Sequence, residues 1–107
     1  MTKFILLYKG PARGPDQIPP AELEQIMQAW TQWGDKVGPA LVDFGNPFAT
    51  RASVHGDGSE GAASDYNGYT IVEATDLDAA KGFCDGHPFL ADSGREFSVE
   101  VYELAPM

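Results

Sequence analysis

The apolar run KFILLYK, at residues 3–9, is the feature that most constrains the fold of this chain. Its aromatic and β-branched content is typical of a strand that is buried on both faces. Alternation divides its apolar side chains between two faces, with Phe4, Leu6 and Tyr8 on one and Ile5 and Leu7 on the other. A sheet that contains this strand must therefore be covered on both of its sides.

Residues 20–37 predict an amphipathic helix that can cover one side. Pro20 stands near the first helical position, where proline is tolerated, and Gly38 and Pro39 supply a stop. The apolar side chains of this segment recur at steps of three or four residues and form one stripe: Leu23, Ile26, Met27, Trp30, Trp33 and Val37. A Gly- and Pro-rich loop at residues 10–20 precedes the helix.

Three further strands and a second helix follow in the sequence. The strands are predicted at residues 40–45, 68–74 and 96–104, and the helix at 76–86. Asp76 is the expected N-cap of that helix, and Gly86 and Pro88 end it. Between the second and third strands lies a polar, Gly-rich connection at residues 46–67, with a possible hairpin around TRASVHG, residues 50–56.

The resulting order β-α-β-β-α-β predicts a ferredoxin-like α+β fold over one domain, residues 1–107. Right-handed crossovers would place both helices on one face of a four-stranded antiparallel sheet, with the first and third strands at its centre. The opposite face then carries Ile5 and Leu7 without a cover, and large exposed apolar patches are rare on monomers. We therefore expect a homodimer that packs sheet to sheet.

The charge and cysteine content exclude several classes of function. Seven Lys and Arg stand against 16 Asp and Glu, which gives a net charge of -9 and argues against nucleic acid or a membrane surface as partner. The single cysteine, Cys84, excludes an intrachain disulfide. The first apolar run is too short for a signal-peptide core or a membrane span. A soluble cytoplasmic protein is the expectation.

The sequence resembles the YCII-related family, also described through the DGPF domain, of the dimeric α+β barrel superfamily. The resemblance is carried by FILLYKG, WGDKVGPALVDFGNPF, NGYTIVEATDLDAAKGFCDGHPFL and FSVEVYELAPM, so it covers nearly the whole chain outside residues 49–65. It implies a homodimer with a cleft near the sheet and the first helix, in which a small organic molecule would bind.

Some members of this family are proposed to use a His–Asp pair in that cleft. The family's Asp precedes a proline, and His87 occupies that position here, ahead of Pro88. The family's His lies on the first helix, where this chain offers Gln28 and Trp30 among residues 27–30 and no histidine. The pair is therefore not reproduced residue for residue. The relatives suggest lyase, isomerase or dehalogenase-like proton chemistry without an organic cofactor.

His87 is the candidate acid–base residue, because an imidazole titrates near neutrality and Gly86 and Pro88 would restrict the backbone around it. The alternative is that His87 caps the second helix or lies in the loop. Asp85 could orient it, but a solvated turn residue is the expected role, because residues two apart usually face away from each other. Cys84 is expected to pack as a small apolar side chain.

The ligand-binding candidates are side chains that could reach the cleft: Tyr8, Gln28, Trp30 and Asp43. The alternatives are a place in the core for Trp30 and a surface or interface role for Tyr8 and Asp43. Arg51 and Arg95 could recognise a carboxylate. No metal is predicted, since His55, Asp57 and His87 would ligate one only if the long connection folded over the second helix. Two alternatives remain: a non-catalytic module for ligand or partner binding, and a haem- or metal-dependent monooxygenase relative.

Overall fold

A computed structural model describes residues 1–10, 19–90 and 97–106 of the chain. Its strands and helices follow the predicted order, and the ferredoxin-like α+β prediction is confirmed. In chain order they are β1 (Thr2–Lys9), α1 (Pro20–Val37), β2 (Leu41–Asp43), β3 (Ser53–Val54), β4 (Glu60–Gly61), β5 (Tyr66–Ala74), α2 (Leu77–Gly82) and β6 (Ser98–Glu103). No helix of the described part is long and apolar enough to cross a membrane.

Four strands form an antiparallel sheet in the order β2-β5-β1-β6. β1 and β5 are central, as the sequence predicts, and their register pairs Phe4 with Val72 and Leu6 with Thr70. β2 is shorter than the predicted strand at 40–45. After Asp43 the chain turns, because the Asp43 Oδ1 accepts a 2.9 Å hydrogen bond from the backbone N–H of Gly45.

Gly45 has a φ of 81° and lies against β5. A Cβ atom at this position would stand 1.7 Å from the carbonyl oxygen of Tyr69. Only glycine fits this approach, since any side chain would push the turn away from the sheet. The turn therefore ends β2 at a fixed distance from β5.

The hydrophobic core lies between the sheet and the two helices. The buried apolar side chains all come from the helix-facing side of β1 and β5 and from the helices: Phe4, Leu6, Tyr8, Val72, Ala74, Trp33, Val37 and Ala80. Burial of a large apolar side chain contributes roughly 1.5–3 kcal/mol. Alternation along β1 thus places Phe4, Leu6 and Tyr8 together on the face that the helices cover.

The apolar stripe of α1 is buried only toward its C-terminal end. Trp33 and Val37 are buried, whereas Leu23 is 37% and Met27 63% exposed. The stripe that the sequence predicts therefore packs on the sheet only in its C-terminal half. The physical reason is that only the C-terminal part of the helix lies over the core residues of β1 and β5.

α2 begins as predicted and ends early. The Asp76 Oδ1 accepts a 2.8 Å hydrogen bond from the Ala79 N–H, so the predicted N-cap is confirmed. The helix stops at Gly82 rather than at residue 86. The indole Nε1–H of Trp33 donates to the Phe83 carbonyl at 2.8 Å, while the His87 N–H binds the Cys84 carbonyl. In a helix that continued to residue 87, the His87 N–H would have bonded to the Phe83 carbonyl instead.

The long connection does carry a hairpin. β3 and β4 pair with each other and form a two-stranded sheet of their own, with the turn at residues 55–59. Asp57 holds this turn through its Oδ1, which accepts hydrogen bonds from the N–H and the hydroxyl of Ser59. Most of the predicted loop at 10–20 and the start of the predicted strand at 96–104 lie outside the described residues.

No helix within the described residues covers the second face of the sheet. Ile5 and Leu7 lie on it and are half-buried, and Ile71 and Tyr102 lie beside Ile5 on the neighbouring strands. We call the following set the open face: Lys3, Ile5, Leu7, Lys9, Asp43, Tyr66, Tyr69, Ile71, Glu73, Ser98, Glu100 and Tyr102. The expectation that the helices leave one face of β1 without a cover is confirmed.

Candidate functional site

His87 lies between the sheet and α1 and is only 1% exposed. Three parts of the chain surround it. β1 supplies Tyr8, α1 supplies Trp30 and Trp33, and the turn after His87 supplies Phe89. Gly86, with a φ of 70°, reverses the chain after α2 and allows the imidazole to point back into this layer.

A chain of hydrogen bonds runs from His87 across the sheet. The Nδ1 of His87 accepts from the Phe89 N–H at 3.0 Å, and its Nε2 is 3.2 Å from the Tyr8 hydroxyl. The Tyr8 hydroxyl is 2.6 Å from the Thr70 Oγ1, which in turn donates to the Phe44 carbonyl at 2.9 Å.

The two backbone groups at the ends fix the direction of every bond in this chain. An N–H can only donate, so the Nδ1 of His87 carries no proton, and the neutral ring holds its proton on Nε2. A carbonyl can only accept, so the Thr70 proton points to Phe44. His87 therefore donates to Tyr8, and Tyr8 donates to Thr70.

An aromatic cluster encloses the hydrogen-bond chain. The imidazole centroid of His87 lies 4.3 Å from that of Trp33, 4.9 Å from that of Trp30 and 5.1 Å from that of Tyr8. Trp30 stands edge-on to both His87 and Tyr8, a favoured geometry for aromatic pairs. We call Tyr8, Trp30, Trp33, Phe44, His87 and Phe89 the aromatic cluster.

Burial controls the charge state of this cluster. Desolvation lowers the pKa of His87 from 6.5 to about 4, because the apolar surroundings disfavour the imidazolium. Desolvation also raises the pKa of Tyr8 above its ordinary value, while the hydrogen bond with Thr70 opposes that rise. Near neutral pH both groups are uncharged, and His87 is a base that releases a bound proton readily.

The cluster reaches the surface beside α1. Trp30 is half-buried and Phe44 is 41% exposed, and their ring centroids lie 6.1 Å apart. Phe44 packs against Gly34, where a Cβ atom would come within 2.8 Å of its ring. The absence of a side chain at Gly34 lets Phe44 approach the helix at the edge of the cluster.

The structure brings three of the predicted site residues together. His87, Tyr8 and Trp30 share the aromatic cluster. Asp43 lies on the open face instead, where its Oδ2 accepts a 3.3 Å hydrogen bond from the Tyr69 hydroxyl. Gln28 is exposed and lines a groove of about 610 Å³ along α1, away from the histidine.

The other residues singled out from the sequence have ordinary surroundings. Asp85 is exposed, as expected, and does not contact His87; its carbonyl accepts a 3.2 Å hydrogen bond from the Lys36 Nζ. Cys84 is half-buried, and desolvation raises the pKa of its thiol, which disfavours the nucleophilic thiolate. Arg51 is exposed at the base of the hairpin, and Arg95 lies outside the described residues.

His55 is exposed on the hairpin, and neither a hydrogen bond nor a ring contact joins it to the buried His87. Within residues 1–10, 19–90 and 97–106, no group of three or more His, Cys, Asp or Glu side chains could hold a metal ion. A site built from His55, Asp57 and His87 is therefore not formed by the described part of the chain.

Thr70, Trp33 and Phe89 belong to the site, although the sequence does not single them out as site residues. Thr70 faces the helices from the centre of β5, opposite Leu6, where an apolar side chain would be expected. A hydroxyl at a core position of a strand must find a hydrogen-bond partner, and that requirement is the signal that could have identified it. Among the described residues, every buried side-chain nitrogen and oxygen has such a partner.

One solved structure similar to this chain is 5-chloro-2-hydroxyhydroquinone dehydrochlorinase (TftG) from Burkholderia phenoliruptrix AC1100, in complex with 2,5-dihydroxybenzoquinone. The two share 17% sequence identity at a TM-score of 0.53, and the match covers 96% of this chain and 93% of that one. At this identity the likeness shows the fold alone. No family model matches the chain, and no curated sequence matches it either.

Proposed function

We propose that this chain binds a small planar organic molecule at the aromatic cluster, between α1 and the sheet. The observation that carries the proposal is the directed hydrogen-bond chain through His87, Tyr8 and Thr70, held inside a wall of aromatic rings. Binding sites for small molecules are mostly apolar and aromatic, with a few convergent polar groups. The structural likeness to an enzyme that binds a quinone supports this ligand class.

In the proposed site the ligand enters past Trp30 and Phe44, which form the exposed edge of the cluster. Its ring would stack on these side chains, while a carbonyl or hydroxyl oxygen would meet the Tyr8 hydroxyl. To donate to the ligand, the Tyr8 hydroxyl must turn away from Thr70. Its raised pKa keeps the proton on it, so it acts as a hydrogen-bond donor rather than as a proton source. Asp43 and Gln28 lie outside this contact.

The chemistry that fits such a site is an acid–base proton shift of the isomerase or lyase type. His87 is neutral near pH 7 and would accept a proton from the ligand at Nδ1, after the bond from the Phe89 N–H opens. The proton then returns to another atom of the ligand, and the low pKa of His87 favours that return. No organic cofactor is needed for this exchange.

Variants of the aromatic cluster test whether a planar ligand binds there. With 2,5-dihydroxybenzoquinone as the probe, saturating ligand should raise the stability of the wild type by about 2.7 kcal/mol at a hundredfold excess over the dissociation constant. Trp30→Ala should remove this stabilisation, and Tyr8→Phe should weaken it. Tyr102→Phe, which removes an exposed hydroxyl from the open face, is the control. Planar probes that stabilise the wild type and Trp30→Ala equally would refute the site.

A second candidate function is a non-catalytic ligand-binding or interaction module. It is favoured by the fact that both ring nitrogens of His87 already have partners inside the protein. Under this reading His87→Gln retains probe binding, and nuclear magnetic resonance detects no proton exchange between the bound ligand and solvent in either protein. Exchange that His87→Gln abolishes would establish the acid–base role.

We also propose that the chain is one cytoplasmic domain that forms a homodimer through the open face. Two lysines and three carboxylates lie on that face, so it is nearly neutral although the chain has a net charge of -9. The apolar side chains at its centre, Ile5, Leu7 and Ile71, would be buried by a second copy. Sedimentation at micromolar concentration tests this pairing, and a monomer under those conditions contradicts it.

A further inference from the structure

We call the hairpin at residues 49–65 the arm. The described residues give it little of the packing support that a two-stranded unit needs. β3 and β4 have only two residues each, and their main contacts are with each other. Isolated hairpins of two strands are marginally stable in water and need a packing partner. None of the arm residues is buried, and Val54 is 67% exposed.

The dimensions of the molecule agree with an arm that stands away from the core. The radius of gyration is 15.2 Å, against about 13 Å for a compact chain of this length. The molecule extends 44 and 42 Å in two directions and only 23 Å in the third. The molecule is therefore broad and flat rather than spherical.

An open groove of about 500 Å³ lies where the arm joins the sheet. Phe48, Arg51 and Tyr66 supply its largest side chains, beside small residues of both legs of the arm. The Arg51 guanidinium donates one hydrogen bond, at 3.3 Å, to the Ser64 carbonyl. No carboxylate of the described residues forms an ion pair with Arg51, so its charge can accept an acidic partner.

The groove is continuous with the open face. Phe48, at the groove, stacks on Tyr69 of the open face with 5.9 Å between ring centroids. Tyr66 lines the groove and also donates its hydroxyl to Glu100, which lies on the open face, at 2.9 Å. A molecule that covers the open face would therefore extend into the groove without a gap.

From these observations we infer that the arm clasps a second copy of this chain. The inference rests on the proposed sheet-to-sheet homodimer and adds a second contact region to it. Val54 and the groove would pack against the partner, and a carboxylate of the partner would pair with Arg51. A second copy fits the charge of the groove, because each copy carries 16 acidic side chains.

The test is the dissociation constant of the full-length dimer, measured by sedimentation equilibrium. Val54→Glu and Arg51→Glu should each raise this constant at least about tenfold, since each places a carboxylate where the acidic partner packs. Gln32→Glu adds one negative charge on the exposed side of α1, as Val54→Glu does on the arm, and should change the constant by less than about twofold. The backbone amides of the arm, including that of His55, should be protected from hydrogen exchange only above the dissociation constant.

Each result has a distinct meaning. A dimer whose dissociation constant responds to Val54→Glu and Arg51→Glu no more than to Gln32→Glu overturns the clasp and leaves the sheet-to-sheet dimer standing. A wild-type monomer at micromolar concentration overturns both. Neither result affects the aromatic cluster, because probe binding is a separate measurement on the other side of the sheet.

Discussion

The two faces of the same sheet both have an apolar centre on β1, but helices cover only one of them. Leu6 and Leu7 are neighbours of the same type on β1, yet Leu6 is fully buried under the helices and Leu7 is half-buried on the open face. The strand thus presents similar side chains to both sides, and the helices settle which side becomes the core. A strand that is apolar on both faces indicates that both faces of its sheet need a cover. Here the helices of the chain cover one face.

The polar groups on the two faces differ in the same way. Under the helices they are uncharged, as in the pair of Tyr8 and His87. On the open face they are ionic: Glu100 accepts hydrogen bonds from the hydroxyls of Tyr102 and Tyr66, and these bonds lower its pKa. A carboxylate persists where water can solvate it, and neutral hydrogen-bond chains replace charge where water is excluded.

Truncation of neighbouring residues on β1 compares the two faces directly. Leu6→Ala should lower the free energy of unfolding by about 2–5 kcal/mol, because it opens a cavity in a covered core. Leu7→Ala should cost less in dilute solution, and its cost should grow with protein concentration if a second copy covers that face. Urea denaturation at two protein concentrations measures both. A larger loss for Leu7→Ala than for Leu6→Ala in dilute solution would contradict the assignment of the core.

The loss of folding stability at low pH should come from the face of the sheet that the helices cover, where His87 is buried. The pKa of His87 is about 4 in the folded protein and near 6.5 when the chain is unfolded. Between these values the unfolded chain binds a proton that the folded chain does not, so stability rises with pH. The contribution of His87 is complete above about pH 6.5 and is lost as the pH falls toward 4. At ~1.4 kcal/mol for each pKa unit, it amounts to roughly 3 kcal/mol.

Denaturation of His87→Gln across the same pH range measures this effect, because glutamine does not titrate. The variant should lose less stability than the wild type between pH 6.5 and 4. His55→Gln, which changes the exposed histidine of the hairpin, should follow the wild type. Equal slopes for the wild type and His87→Gln would mean that His87 is not held neutral by burial.

The smallest effect concerns a single hydroxyl in the covered face. Thr70→Val should lower the free energy of unfolding by about 1–3 kcal/mol, since it leaves the Tyr8 proton and the Phe44 carbonyl without partners. Thr31→Val removes the same hydroxyl from the exposed side of α1 and should cost little. The double variant with Tyr8→Phe should cost less than the sum of the two single variants. Strict additivity would show that the two hydroxyls are not coupled.

The sequence predicts the fold well because its signals are local and repeated. The bounds of α1 match the prediction at both ends, where Pro20 and Gly38 mark them. α2 ends four residues early, where the N–H groups of Phe83, Cys84 and Asp85 bond to carbonyls three residues back. The Trp33 indole holds the chain just beyond that end through the Phe83 carbonyl, and this contact joins residues 50 positions apart. A local pattern contains no information on such a pairing.

The site is predicted less completely for the same reason. The sequence offers Tyr8, Trp30 and His87 as separate candidates, and the structure assembles them in one cluster. The family resemblance points to Gln28 and the second strand to Asp43, and both lie elsewhere. The hydrogen-bond chain itself depends on register, because Thr70 must lie across from β1 for Tyr8 to reach it. Only the folded sheet brings these residues together.

The edge strands of the sheet determine how readily the protein can aggregate at high concentration. β2 has three residues, and beyond its turn Pro47 makes the next bridge to β5, so this edge offers a neighbouring chain almost no continuous backbone. The β6 edge is longer and carries Glu100 and Glu103. Short edges, proline and charge all hinder the stacking of strands into fibrils. Such a molecule should remain dispersed at high concentration, and any self-association should close at small assemblies instead of growing without limit.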